Sequence, residues 1–184
     1  NPYTLLGGVA ICALFLFHGV VFVALKTGGS VRTAAVRLAA VLSVPSAVLV
    51  AAFGLWTQLG HGKPWTWTVL VAGLLAQLVA VAAAAAAREG WAFLATTVVV
   101  AAVVIVLFGS LYPNLVPSTI DPAYSITNYN GSSSPYTLKV MTWAAVIFTP
   151  LVLVYQAWTY WVFRKRVFAE SIPHPIGLPL RRVP

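Results

Sequence analysis

Long apolar runs alternate with polar segments along this chain. An α-helix needs about 20 predominantly apolar residues to cross the hydrocarbon core of a bilayer, which is about 30 Å thick. Membrane β-strands are about 10 residues long and alternate polar with apolar positions, so continuous apolar runs favour helices. Helices also satisfy their own backbone hydrogen bonds in lipid. The pattern predicts an all-α integral membrane protein with five spans, at residues 3–25, 35–59, 66–87, 91–112 and 136–163.

The predicted helices are joined by three short polar connections and one long one. The short connections are residues 26–34, 60–65 and 88–90, and the long one is 113–135. Unstructured loops of this length are uncommon unless they are functional or packed on something. We therefore expect 113–135 to pack over the ends of helices, here or on a partner, with a turn at Asn130-Gly131.

Two further features frame the last helix. Ser134 followed by Pro135 predicts an N-cap and a proline at the first helical position. After residue 163 the chain becomes basic and rich in proline. We expect this tail, residues 164–184, to be extended, partly disordered and cytoplasmic.

Composition supports a membrane location. The chain of 184 residues is 60% hydrophobic and only 8% charged. Soluble domains carry about 25% charged residues, and a globule of this size could not bury so much apolar surface. The single cysteine, Cys12, excludes an intrachain disulfide and a cysteine-rich metal site.

The positive charges predict the orientation. If five helices alternate in direction, nine of the eleven Lys and Arg residues lie on the side of the carboxy end. Cytoplasmic loops carry an excess of Lys and Arg, so the amino end and 113–135 are predicted to lie outside and the carboxy end in the cytoplasm. The nine residues are Lys26, Arg32, Arg37, Arg88, Arg164, Lys165, Arg166, Arg181 and Arg182, and the other two are Lys63 and Lys139. Charges scattered in this way over several loops do not indicate nucleic-acid binding.

Four polar side chains inside the predicted spans are the candidate site residues. His18 is the one ionisable group there, and such a group is by default a functional candidate, here as a haem ligand or proton relay. A neutral imidazole hydrogen-bonded across a helix interface is the simpler interpretation. Gln58, Gln77 and Gln156 could orient a quinone carbonyl or line a pathway, and interhelical hydrogen bonds are again simpler.

No catalytic group is visible in this segment taken alone. Its three acidic residues, Glu89, Asp121 and Glu170, lie outside the predicted spans and form no acid/base pair. We therefore predict no catalytic residue and no metal site. Pro45 and Pro150 should kink helices, and together with the long loop they leave half of a secondary transporter as an alternative.

Several segments occur in a characteristic order. They are NPYTLLGG at 1–8, ALKTGG at 24–29, GLWTQ at 54–58, WAF at 91–93, FGSLYPNLVPST at 108–119, SITNYNGSSSPYTLKVM at 125–141 and YQAWTYWVF at 155–163. In content and order they resemble subunit II of cytochrome bd quinol oxidases. The resemblance covers nearly the whole chain before the tail.

The resemblance implies a subunit of the bacterial cytoplasmic membrane that binds no haem itself and pairs with a subunit I carrying haem b and haem d. The complex would oxidise quinol, reduce oxygen to water and generate a proton gradient. A quinone, lipid and small accessory subunits are further partners that the resemblance allows. Because members of this family are longer chains, we expect this sequence to be their carboxy-terminal five-helix part.

Overall fold

The computed structural model describes residues 1–118 and 120–168. It contains five long helices, each long and apolar enough to cross a membrane, so the predicted all-α architecture is confirmed. The helices are α1 (Pro2–Lys26), α2 (Gly29–His61), α3 (Thr66–Ala85), α4 (Glu89–Leu111) and α5 (Pro135–Val162). Between α4 and α5 lie two short strands, β1 (Asn114–Val116) and β2 (Ile126–Thr127), and a 3₁₀ turn at Pro122–Tyr124.

One predicted boundary is wrong. Helix α2 begins at Gly29, so the predicted connection at 26–34 shrinks to Thr27 and Gly28. At 33 residues α2 is about 50 Å long, well beyond the hydrocarbon thickness. Hydropathy marks where a chain enters the hydrocarbon, whereas this helix continues through the polar interface and carries Arg32 and Arg37 in its first turns. The other helix ends agree with the prediction to within two residues.

The starts of α1 and α5 use the same local chemistry. Asn1 accepts a hydrogen bond from the backbone N–H of Tyr3, and Ser134 accepts one from that of Thr137. Proline follows each cap, where its missing N–H costs nothing. The predicted Ser134-Pro135 start is therefore confirmed.

Helices α1 to α4 form a bundle whose closest contacts lie at small residues. A Cβ atom added to Gly7 of α1 would come within 2.8 Å of the Phe53 ring of α2. One added to Gly73 of α3 would come equally close to the Cβ atom of Ala102 on α4. In lipid, helices associate largely through such close backbone approach, because apolar side chains gain little by leaving hydrocarbon.

The interior of the bundle consists of two apolar clusters with polar residues between them. The cluster nearer the start of α1 is built on Leu14, Val50 and Val99. The cluster nearer the end of α1 is larger and includes Phe17, Val21, Ala39, Ala80 and Ala95. Four buried polar residues lie between the two clusters along α2, α3 and α4, and we call them the polar layer: Ser43, Ser46, Gln77 and Thr96.

At the end of the bundle predicted to be cytoplasmic, the chain after α5 docks on the turn between α1 and α2. The backbone N–H of Val167 donates to the carbonyl of Lys26 over 2.8 Å, and that of Gly28 donates to the carbonyl of Val167 over 3.0 Å. Glu89, at the start of α4, pairs with Arg32 of α2 and lies 3.7 Å from Arg166. Of the predicted tail, residues 169–184 lie outside the described residues.

At the opposite end, the long loop folds into a small hairpin. β1 and β2 pair in antiparallel fashion, and the side chain of Asn130 accepts the backbone N–H of Thr127 over 2.6 Å. The backbone N–H of Gly131 donates to the carbonyl of Thr127, which confirms the turn predicted here. Lys63, between α2 and α3, donates from Nζ to the carbonyl of Tyr112 and so joins the loop to the bundle.

The packing at Gly73 generates a first prediction. Gly73→Val should lower the stability of the bundle by about 1–3 kcal/mol, because the added side chain must separate α3 from α4. Gly19→Val is the matched control, since a Cβ atom at Gly19 meets nothing within 4 Å. The measurement is the midpoint of thermal unfolding in detergent. Equal midpoints for the two variants would contradict close packing at Gly73.

Candidate functional site

Helix α5 is uncovered along its whole length. None of its 28 residues, all of which the structure describes, is buried. In the most apolar stretches of α1 to α4, 28–33% of the residues are buried. Helix α5 is therefore held at its two ends, by the hairpin and by the docked segment 164–168, but does not pack on the bundle. Within the described chain, the packed part of the predicted five-span architecture therefore consists of α1 to α4.

The circumference of α5 divides into two unlike stripes. At 100° per residue, positions spaced by three, four or seven share one side of a helix. One side carries large aromatic and aliphatic residues, namely Tyr136, Trp143, Ile147, Val154, Trp158 and Trp161. The other side carries Thr142, Ala145, Thr149 and Gln156, which we call the α5 polar stripe, together with the larger residues Leu138, Val152 and Tyr160. Aromatic rings suit lipid and its interfaces, whereas small and polar residues are typical of helix–helix contacts in membranes.

His18 lies between α1 and α4. Its Nδ1 is 2.7 Å from the Oγ1 atom of Thr96, and its ring stacks on Phe93 at a centroid distance of 4.7 Å. Because the Thr96 hydroxyl already donates to the carbonyl of Ala92 over 2.9 Å, it accepts from His18. The His18 ring therefore carries a proton on Nδ1 and donates across the contact between α1 and α4.

Gln58 belongs to a hydrogen-bonded network at the turn between α2 and α3. Its Oε1 accepts from the Thr66 hydroxyl over 2.8 Å, and its Nε2 donates to the carbonyl of Lys63 over 3.0 Å. The Thr66 hydroxyl in turn accepts the backbone N–H of Lys63. The whole amide is thus used to close the turn and to align the two helices.

Gln77 occupies a different environment. Its side chain is 2% exposed, yet neither Oε1 nor Nε2 has a hydrogen-bond partner among the described residues. The hydroxyl of Ser46, also in the polar layer, is likewise without a partner in that part of the chain. A buried polar group without a hydrogen bond lowers the free energy of unfolding by about 1–3 kcal/mol.

The four predicted site residues do not converge. Gln58 lies at the turn between α2 and α3, Gln77 in mid-bundle, His18 at the α1–α4 contact and Gln156 on the exposed helix α5. The described residues contain no group of three or more His, Cys, Asp or Glu that could hold a metal ion. The described chain therefore presents one uncovered helix, α5, and separate hydrogen bonds within the bundle.

Sequence reasoning missed the partners that give these residues their roles. Thr96 and Ser46 look like any other hydroxyl residues in an apolar run. Helical spacing could have pointed to Ser46, because this residue shares one side of α2 with Ser43 and Val50.

Comparison with known proteins gives a consistent result. The family model described as cytochrome bd terminal oxidase subunit II matches residues 1–163. The chain is 34% identical over 175 residues to the cytochrome bd ubiquinol oxidase subunit 2 of Bacillus subtilis, covering 91% of this chain and 51% of that protein. It is 24% identical over 206 residues to the cytochrome bd-I ubiquinol oxidase subunit 2 of Escherichia coli K12, covering 94% and 54%. The chain thus spans about half the length of the curated relatives it matches.

The contrast between Gln58 and Gln77 generates a second prediction. Gln58→Leu should lower the free energy of unfolding by roughly 2 kcal/mol, because two hydrogen bonds are lost and their partners stay buried. Gln77→Leu should leave it unchanged or raise it, because no partner is lost. Thermal unfolding midpoints of both variants in detergent test this. An equal loss for both would mean that the Gln77 amide is satisfied.

Proposed function

Because this chain belongs to the cytochrome bd terminal oxidase subunit II family, we propose that it acts as the supporting, haem-free subunit of a quinol oxidase. In this role it packs beside a subunit I that carries haem b and haem d, where quinol is oxidised and oxygen reduced to water with formation of a proton gradient. The observation that carries the proposal is the family match over residues 1–163, which includes all five helices. The same family match favours this proposal over the alternative, half of a secondary transporter.

The described residues of this chain fit a supporting role, in which the partner subunit carries out the redox reaction. A haem iron usually takes His, Met, Cys or Tyr as axial ligands. His18 donates from Nδ1 to Thr96, and the only methionine, Met141, lies on α5 away from the bundle and is 60% exposed. Because the hydrogen bond at Nδ1 leaves Nε2 of His18 free, it does not exclude iron ligation, which the fourth prediction tests; we assign no step of the reaction to the described residues. We assign the redox chemistry to the partner and shielding of its haem site from lipid to this chain.

Helix α5 is the part of the chain best suited to hold a partner. It is tied to the bundle at both ends, so its position is defined even though its length is uncovered. The α5 polar stripe offers small side chains for close approach and the Gln156 amide for a hydrogen bond. We assign this stripe to protein contact in the assembled oxidase and the aromatic side to lipid.

The charged residues support the placement in the membrane. Lys26, Arg32, Arg88 and Arg166 lie at one end of the bundle, where Arg32 and Arg166 face the carboxylate of Glu89. Lys and Arg are enriched on the cytoplasmic side, so we place this end in the cytoplasm of a bacterial cell and the hairpin outside. Quinone, lipid and small accessory subunits remain proposed partners of the complex.

The two stripes of α5 generate a third prediction. In the assembled complex, a cysteine at Ala145 should react with a membrane-permeant maleimide at least about tenfold more slowly than one at Ala144. The physical reason is that Ala145 lies on the α5 polar stripe and is covered by protein, whereas Ala144 faces towards lipid. The background is Cys12→Ser, because Cys12 is the only native cysteine.

The control for this labelling is the same pair of cysteines after dissociation of the complex in a denaturing detergent, where both should react at similar rates. Equal rates in the intact complex would contradict burial of the stripe. Faster labelling of Ala145 than Ala144 would place the interface on the aromatic side.

The hydrogen bond of His18 generates a fourth prediction. His18→Gln in the assembled complex should leave the reduced-minus-oxidised haem spectrum unchanged, because an amide can still donate to Thr96 and no iron ligand is removed. Thr96→Val is the companion variant and should also leave the spectrum unchanged while lowering thermal stability. A lost or shifted haem band in His18→Gln would show that this imidazole ligates iron.

A further inference from the structure

A cavity of about 300 Å³ lies at the end of the bundle that carries the hairpin. Its walls come from the first turn of α1, the last turns of α2 and α4, and the start of the loop. Tyr3, His61 and Leu111 line it from the helices, and Asn114 and Pro117 close it from the loop. Ligand sites in proteins begin at about this volume and combine apolar walls with a few placed polar groups.

One buried polar group in this cavity has no hydrogen-bond partner among the described residues. Ser110 is 8% exposed and lines the cavity, and its hydroxyl makes no hydrogen bond to any described residue. Hydroxyls of Ser and Thr in helices commonly donate to a carbonyl one turn back. Thr57 in the same wall does so, to the carbonyl of Phe53 over 2.8 Å. The free hydroxyl of Ser110 is therefore available to a ligand.

Tyr3 supplies a second oriented group. Its hydroxyl is 3.0 Å from the Oγ1 atom of Thr57. Because the Thr57 proton is used on Phe53, Tyr3 donates to Thr57 and keeps its own oxygen lone pairs free. The ring of Tyr3 is packed against Phe53, Trp56 and His61 at centroid distances of 5.4, 5.9 and 5.9 Å. The phenol is thus held in place at the cavity wall.

The charge of the lining restricts the ligand. None of the described residues that line the cavity is Asp, Glu, Lys or Arg. A fully charged headgroup would lose its hydration there without gaining a counter-charge, which is costly. Leu107 and Leu111 form an apolar side of the cavity, and Leu111 is 36% exposed at the surface of α4. An apolar tail can leave the cavity along this side into the bilayer.

We propose that this cavity binds the uncharged, oxygen-bearing headgroup of an amphipathic molecule from the bilayer leaflet at this end of the bundle, with Ser110 donating to a headgroup oxygen. The Tyr3 oxygen accepts from a headgroup hydroxyl where one is present. This chemistry is shared by the ring of a quinone and the sugar of a neutral glycolipid. The inference concerns a site in this chain and does not depend on the proposed function.

The test is the set of lipids and quinones retained by the membrane-purified complex that contains this chain. After a detergent wash, the complex is extracted and each molecule is quantified by liquid chromatography and mass spectrometry. Ser110→Ala should reduce the retained amount of one neutral molecule about fivefold, as expected for the loss of one hydrogen bond of about 1 kcal/mol. A quinone is recognised by its redox-dependent absorbance and a glycolipid by its sugar fragment.

Ser46→Ala is the matched control, because it also removes a buried hydroxyl without a partner, and it should leave retention unchanged. Tyr3→Phe provides a second variant should Ser110→Ala fail to assemble, and it should reduce retention of a hydroxyl-bearing headgroup. Equal retention in wild type, Ser110→Ala and Tyr3→Phe would overturn the proposal. Selective loss of an anionic phospholipid would overturn its chemical class.

Discussion

Close backbone approach at small residues is the interaction on which the bundle depends. In a bilayer, an apolar side chain gains little by moving from lipid to protein, so helices must gain from tight packing and interhelical hydrogen bonds. Glycine at positions 7, 54 and 73 allows this approach, since a Cβ atom at any of them would lie 2.8 Å from a neighbouring side chain. The register set at these contacts brings His18 to Thr96 and Gln58 to Thr66.

Polar side chains then act in two distinct ways inside the same bundle. Gln58 uses its whole amide to close a turn, and His18 donates across α1 and α4. Gln77 and Ser46 lie between two apolar clusters without partners in the described chain. Identical residue types thus stabilise at a helix end and are costly in mid-bundle, because only at the end are unpaired backbone groups available to them.

Helix α5 is the helix that the four-helix bundle leaves uncovered. Its ends are attached, through the hairpin on one side and through Val167 and Arg166 on the other, yet its whole length is uncovered. A two-sided helix held in this way is suited to contact a neighbouring chain, which agrees with a family of oxidase subunits and with a match to about half of each relative. The docked segment 164–168 follows α5 directly and therefore fixes the position of this end of the helix.

The sequence by itself determined the number of spans, most of their ends, the cap at Ser134, the turn at Asn130 and the family. These properties depend on the hydrophobicity or local chemistry of neighbouring residues, so they can be read along one dimension. Only the tertiary structure decided that α2 begins at Gly29 and that α5 does not pack on the bundle. It also decided that Thr96 is the partner of His18, that Ser110 lines a cavity, and that Gln156 lies on an uncovered side of α5. In lipid both sides of a spanning helix are apolar, so periodicity is weak and the buried side is chosen by the neighbouring helices.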